Sequence, residues 1–233
     1  MTKLATLWQE LVALLPVTEN TLVQIGANDG ATLNDLIQLR EWHGVLIEPV
    51  PFLFERLKVS IPVASGLLAL NAAIHPSADR ETMTFYSVKE HELDNKIVPG
   101  WFKGLSSFDL PTILSHEKFV PDIREHIEEI TVQTRTSESL LNEFRISSVS
   151  LLYIDTEGYD AKILMSFPIE ATRPLIVFYE TKHLHAEEAN RLTLMLAQYG
   201  YSFLHTRDIE QNVFAISQRL LPAPFVRLLD KLL

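Results

Sequence analysis

Short, evenly apolar runs alternating with stretches of helical periodicity are what most restricts this chain. Thr21 to Ile25 is the first run; it opens into a glycine-rich turn, and Leu33 to Leu39 then follows a helical pattern. Val45 to Ile47 is the second, followed by Pro49, Pro51 and a helical stretch from Phe52 to Lys58, and Leu67 to Ile74 is the third. Strands that are apolar along their whole length must be covered on both faces, as in a parallel sheet with helices on either side. The three runs therefore predict a βαβαβ half-sheet.

The same alternation returns in the second half. Glu129 to Thr134, Ser150 to Ile154 and Leu175 to Tyr179 read as strands, with helices over Ser137 to Phe144, Ala161 to Phe167 and Ala186 to Tyr199. Only a short polar turn separates Tyr201–His205 from Val213–Ser217, so these two strands must pair antiparallel. Between the halves, Thr82 to Val88 alternates like a strand, and about residues 89–126 have no clear period, which predicts an inserted, lid-like segment. The expected fold is a single α/β domain over residues 1–233. It has a doubly wound, Rossmann-like, mostly parallel sheet of about seven strands, closed by an antiparallel C-terminal hairpin, with helices on both faces. An amphipathic N-terminal helix (about 3–15) and a C-terminal helix (about 222–233) frame it, the latter suited to covering a sheet edge or forming a homodimer.

Composition narrows the function. A formal charge of -10 repels a phosphate backbone, which argues against nucleic acid. The absence of cysteine removes disulfides, thiolate nucleophiles and cysteine-ligated metals. Gln9 and Glu10 interrupt the first apolar stretch, so it is no signal peptide, and no run reaches the roughly 18 to 20 apolar residues that span a bilayer. A cytoplasmic protein without membrane attachment is expected.

The chemistry gathers where the runs end. Gln24-Ile25-Gly26-Ala27-Asn28-Asp29-Gly30 follows the first run; glycine there lets the backbone approach a ligand, and the helix behind offers amides to an anionic group such as a methionine carboxylate. The Gly26-x-x-x-Gly30 spacing departs from the G-x-G-x-x-G of dinucleotide sites. Glu48 ends the second run, placed to accept from both hydroxyls of a ribose, with Pro49 beside it. Asn71-Ala72-Ala73 closes the third, with small residues to admit adenine and an amide to bond its edge. The fourth edge is Tyr153-Ile154-Asp155-Thr156-Glu157-Gly158-Tyr159, and Glu180-Thr181-Lys182-His183 the fifth.

Ile25-Gly26-Ala27-Asn28-Asp29-Gly30, Ile47-Glu48-Pro49 and Ile154-Asp155-Thr156-Glu157-Gly158-Tyr159 resemble, in order and separation, the FkbM-type methyltransferase family. The likeness runs from about Leu22 to Glu180 and includes Ser106-Ser107-Phe108 in the insertion. It implies a class I methyltransferase fold, S-adenosylmethionine as donor and a hydroxyl of a sugar, polyketide or other small metabolite as acceptor. Gln24, Gly26, Ala27, Asn28, Gly30, Glu48, Pro49, Asn71, Ala72 and Asp155 would hold the donor. Ser106, Ser107 and Phe108, with Trp101 and Phe102, would lie over the methyl group and shape the acceptor pocket. The chain departs from the pattern at Gln24, where an acid is usual, at Tyr153, where a lysine is common, and at Thr136, where an aspartate is frequent.

Methyl transfer to a hydroxyl needs alignment and a base. Asp155 is the first candidate, with Glu157, Glu180 and His183 as alternatives. Asp155 and Glu180 could instead share a divalent cation, although no close ligand cluster in the sequence demands one and no metal is predicted. Two other readings stay open at this level: a catalytically silent binding module on the same scaffold, and a nicotinamide-dependent sugar-modifying enzyme.

Overall fold

The computed structural model describes residues 3–31, 34–63, 65–77, 79–94, 98–206, 211–222 and 224–225. Its strands are β1 Thr21–Ile25, β2 His43–Ile47, β3 Gly66–Leu70, β4 Ala73–Ile74, β5 Thr82–Val88, β6 Ser106–Ser107, β7 Ile127–Arg135, β8 Leu151–Ile154, β9 Ile176–Glu180, β10 Tyr201–His205 and β11 Asn212–Ser217. Its α-helices are α1 Lys3–Leu14, α2 Asn34–Ile37, α3 Pro51–Ser60, α4 Leu110–Leu114, α5 Ser137–Glu143, α6 Asp160–Ser166, α7 Ile169–Thr172 and α8 Ala186–Gln198. The predicted C-terminal helix lies largely outside the described residues.

The main sheet has seven strands in the order β10-β11-β9-β8-β1-β2-β3. Neighbours from β9 to β3 run parallel, while β11 is antiparallel to both β9 and β10. Side chains alternate between two cores. Leu22 packs with Leu7, Trp8 and Leu11 of α1 on one face, and Val23 packs with Leu140, Ile163 and Leu192 from α5, α6 and α8 on the other. Trp8 anchors α1 by meeting the rings of Tyr153, Phe178 and Phe214 at 5.9, 5.3 and 4.7 Å. Removing it would cost about 3 to 5 kcal/mol.

Local chemistry sets the helix boundaries. Pro51 opens α3, where its missing N–H is no loss. Thr136 caps α5, its hydroxyl accepting from the Ser139 amide while Ser139 returns the bond to the Thr136 amide.

One expectation needs correcting. The third run is not one strand: β3 stops at Leu70, and Ala73–Ile74 crosses to a second sheet of order β4-β7-β5-β6, pairing with Thr134 and Arg135. The cause lies at Asn71, whose side-chain amide donates to the carbonyls of Glu48 (2.8 Å) and Pro49 (3.0 Å) and bends the chain across the end of β2. The strands read at Thr82–Val88 and Glu129–Thr134 lie in this second sheet, where β5 and β7 pair antiparallel along seven residue pairs. The inserted segment builds a core of its own on this second sheet, from Val98, Phe102, Leu105, Ile113, Val120 and Ile123.

Candidate active site

β1, β2 and β8 end side by side at their carboxyl ends, and the chain turns away there in different directions. The resulting cleft, about 640 Å³ with its mouth included, falls in the range of small-molecule sites. The turns after β1 and β8 form its floor. Gly26, at φ +82°, is in the left-handed region, and a Cβ there would run into the carbonyl of Asp155. Its amide and that of Ala27 both donate to Ile47, at 3.0 and 2.9 Å, which ties the turn to β2.

Glu48 is 3% exposed and forms one wall. Its Oε2 accepts from the Asn28 amide and its Oε1 from the Val50 amide, both at 2.8 Å. A carboxylate offers about four acceptor positions, so each oxygen keeps one for a ligand hydroxyl. Burial pushes the Glu48 carboxyl up to about 7, against the pull of those two amides. Ala72, Ala73, Ile74 and Phe85 give the cleft an apolar side fit for a flat base. Phe108 extends this side into an aromatic cluster, meeting the rings of Tyr159 and Phe85 at 4.9 Å each. A buried acceptor pair, a glycine turn that a Cβ would fill and an apolar slot together fit a nucleoside carrying a polar tail.

The acidic edge lies at the turn from β8 to α6. Asp155 and Glu157 both line the cleft. Glu157 holds φ 50°, and the cleft residue Asn28 holds φ 52°. Such conformations cost a non-glycine residue on the order of 1 to 3 kcal/mol and cluster where ligands bind. Because β8 and β9 are parallel neighbours, the turn after β8 abuts Glu180 and His183. His183 Nε2 lies 3.4 Å from Glu157 Oε2 and 3.8 Å from Glu180 Oε2. Burial pushes Glu180 up to about 9, aided by the negative charges of Glu157, Asp155 and Asp160. Burial and the neighbouring His183 hold His116 below its usual value.

The structure thus brings Gly26, Asn28, Glu48, Pro49, Ala72, Asp155, Glu157, Ser106 and Phe108 to one cleft. It does not bring the others. Gln24 is buried in β1 between Leu46 and Tyr153, and its side-chain amide has no hydrogen-bond partner among the described residues. Ala27 is fully buried beneath the turn, and Gly30 abuts Ser60 at the end of α3. Asn71 braces the backbone. Ser107 is fully buried; its hydroxyl donates to the Glu157 carbonyl (3.0 Å) and accepts from the Asp109 amide (3.1 Å), so it holds the acidic turn. Phe102 sits in the core of the inserted segment, and Trp101, half exposed, packs on Phe119 and His116. Glu180 and His183 stand behind Glu157 and do not line the cleft.

Sequence reasoning missed Asp160. Fully buried, it accepts from the Thr156 amide (3.2 Å), the Thr156 hydroxyl (2.9 Å) and the Glu180 amide (3.3 Å), tying the β8 turn to β9. An acid in the first turn of a helix was the available signal, easily read as a dipole partner. Gly104 was missed too: its carbonyl accepts from the Asn28 side chain at 3.3 Å and joins the inserted segment to the turn after β1.

Among the described residues no helix is long and apolar enough to cross a membrane. No curated protein matches the chain. Among solved structures, one chain of a fibrillarin/Nop5p complex is similar at 13% identity and a TM-score of 0.43, covering 86% of this chain and 72% of that one. The family model described as the methyltransferase FkbM domain matches residues 24–203, the stretch that carries the end of β1, all of β2, β8 and β9, and every residue lining the cleft. On that match the chain belongs to the FkbM domain family of methyltransferases.

Proposed function

We propose that the chain transfers a methyl group from S-adenosylmethionine to a hydroxyl of a small acceptor, a sugar, polyketide or other metabolite. The observation that carries this reading is the buried Glu48 carboxylate, held by two backbone amides in the wall of a cleft at the carboxyl ends of β1, β2 and β8. The family implies the donor, which when bound supplies a methyl group on a sulfonium. Glu48 would accept from the ribose hydroxyls, and the side formed by Ala72, Ala73 and Phe85 would cover the adenine. Asp155, at the end of β8 and in the cleft, would take the proton of the acceptor hydroxyl. Ser106 and Phe108 would bound the acceptor from the inserted segment. A donor made inside cells supports a cytoplasmic setting, and the charge of -10 supports a small acceptor over a nucleic acid.

Calorimetry with S-adenosylhomocysteine, followed by a screen of hydroxylated metabolites for methyl transfer, tests the reading. Binding at one site per chain with turnover on a hydroxyl supports it. Binding without turnover on any acceptor class would leave a silent module. Absence of binding would overturn the donor assignment.

A further inference from the structure

Among the described residues, one group of three ligating side chains converges: Glu157, Glu180 and His183 offer ligand atoms all within 4.8 Å of one another. Glu157 comes from the turn after β8, and Glu180 and His183 from the end of β9 and the turn behind it, which the parallel pairing of the two strands places together. Two ligands sharing an ion at about 2.0 to 2.2 Å lie roughly 3 to 4.4 Å apart. The two separations from His183, 3.4 and 3.8 Å, fall inside that span.

An acidic cluster alone would be unremarkable; here the polar atoms are also unsatisfied. The Glu180 and His183 side chains are each only 10% exposed, and Glu180 Oε2 and His183 Nε2 have no hydrogen-bond partner among the described residues. They stand at ion-pair distance without hydrogen-bond geometry. Leaving buried polar atoms unpaired is costly, and three further carboxylates, Asp155, Glu157 and Asp160, add negative charge around Glu180. A cation satisfies all of these at once.

We propose that Glu157, Glu180 and His183 bind a divalent first-row cation beside the methyl-transfer cleft. An imidazole with two carboxylates suits Mn²⁺, Fe²⁺ or Zn²⁺ better than the all-oxygen preference of Mg²⁺ or Ca²⁺. Three protein ligands leave open positions. Glu157 also lines the cleft, so an ion bound behind it would fix the Glu157 carboxylate against the space where an acceptor is held. This last role rests on the function proposed above; the binding of the ion does not.

The test uses tag-free, full-length protein stripped with a chelator and titrated with Mn²⁺, free ion being followed by electron paramagnetic resonance. One Mn²⁺ per chain is expected, with an affinity lowered at least roughly tenfold in Glu180→Gln and in His183→Gln. Melting curves and S-adenosylhomocysteine calorimetry report whether each variant is folded. Should a variant fail to fold, electron spin echo modulation on the parent protein decides: coupling to an imidazole nitrogen supports the site, and its absence overturns it. No binding of Mn²⁺ or Zn²⁺ at about millimolar concentration, or unchanged affinity in both folded variants, also overturns it. If the parent binds S-adenosylhomocysteine but no ion, this inference falls and the methyltransferase reading stands. If it binds the ion but not S-adenosylhomocysteine, the reverse holds.

Discussion

The backbone of Gly26 lies flat against the carbonyl of Asp155, closely enough that no side chain fits between them. The glycine turn after β1 and the acidic turn after β8 therefore share one contact surface. Gly26→Ala should both strain a left-handed residue and push the β1 and β8 loops apart. A melting temperature several degrees lower and loss of S-adenosylhomocysteine binding in calorimetry are expected. Parental affinity in a folded Gly26→Ala protein would show that the cleft tolerates the separation.

Glu48 makes stability depend on pH in a definite direction. An unfolded glutamate releases its proton near 4.5, while burial holds it on Glu48 up to about 7. Between these values the folded state binds the extra proton. The contribution is complete below about 4.5 and is lost as pH rises through about 7, an effect of about 3 kcal/mol. The melting temperature of the parent should therefore fall more steeply between about pH 5 and 8 than that of Glu48→Gln. Ribose hydroxyls favour the ionised form, so S-adenosylhomocysteine binding near pH 6 should release a proton, visible when calorimetry is repeated in buffers of different ionisation heat. Glu48→Gln should also weaken that binding by about 10- to 150-fold.

Gln24 offers the opposite kind of test. Its buried amide has neither donor nor acceptor satisfied among the described residues, and it does not reach the cleft. Gln24→Met keeps the shape and removes the unpaired groups, with an expected gain of about 1 to 3 kcal/mol in a denaturant melt and no change in ligand affinity. A loss of affinity would mean that the amide reaches the donor after all.

Asp155 and Asp160 should separate by readout. Asp160→Ala leaves the Thr156 amide, the Thr156 hydroxyl and the Glu180 amide without their acceptor, and about 2 to 4 kcal/mol of stability should go with it. Asp155→Asn preserves size in the cleft wall and should lose turnover with little change in melting temperature. A near-parental rate in Asp155→Asn would move the proton-accepting role to Glu157.

What was legible in the sequence was whatever local periodicity controls. The buried runs at Thr21–Ile25, Val45–Ile47 and Leu175–Tyr179 mark their strands because both faces are covered and every residue is apolar or tolerated. The break at Asn71 was not legible, since it depends on an amide reaching two carbonyls more than 20 residues away. The second sheet was invisible for the same reason: β5 and β7 are each unremarkable until they meet. At the site, residue types betrayed Glu48 and the acidic turn, yet Glu157, Glu180 and His183 become a set only through the register of β8 against β9. Phe102 and Phe108, six positions apart and equally apolar, could not be told apart until one was seen in a separate core and the other in the cleft.

β11 lies between β9 and β10, although it is the last of the three to leave the ribosome. Until residues 212–217 are made, β9 presents an open edge and β10 has no neighbour to zip against. A nascent or truncated chain ending before Asn212 would thus carry an adhesive strand that the finished protein hides. The order of synthesis leaves the covering of the β9 edge to a single six-residue segment, made after both of the strands it joins.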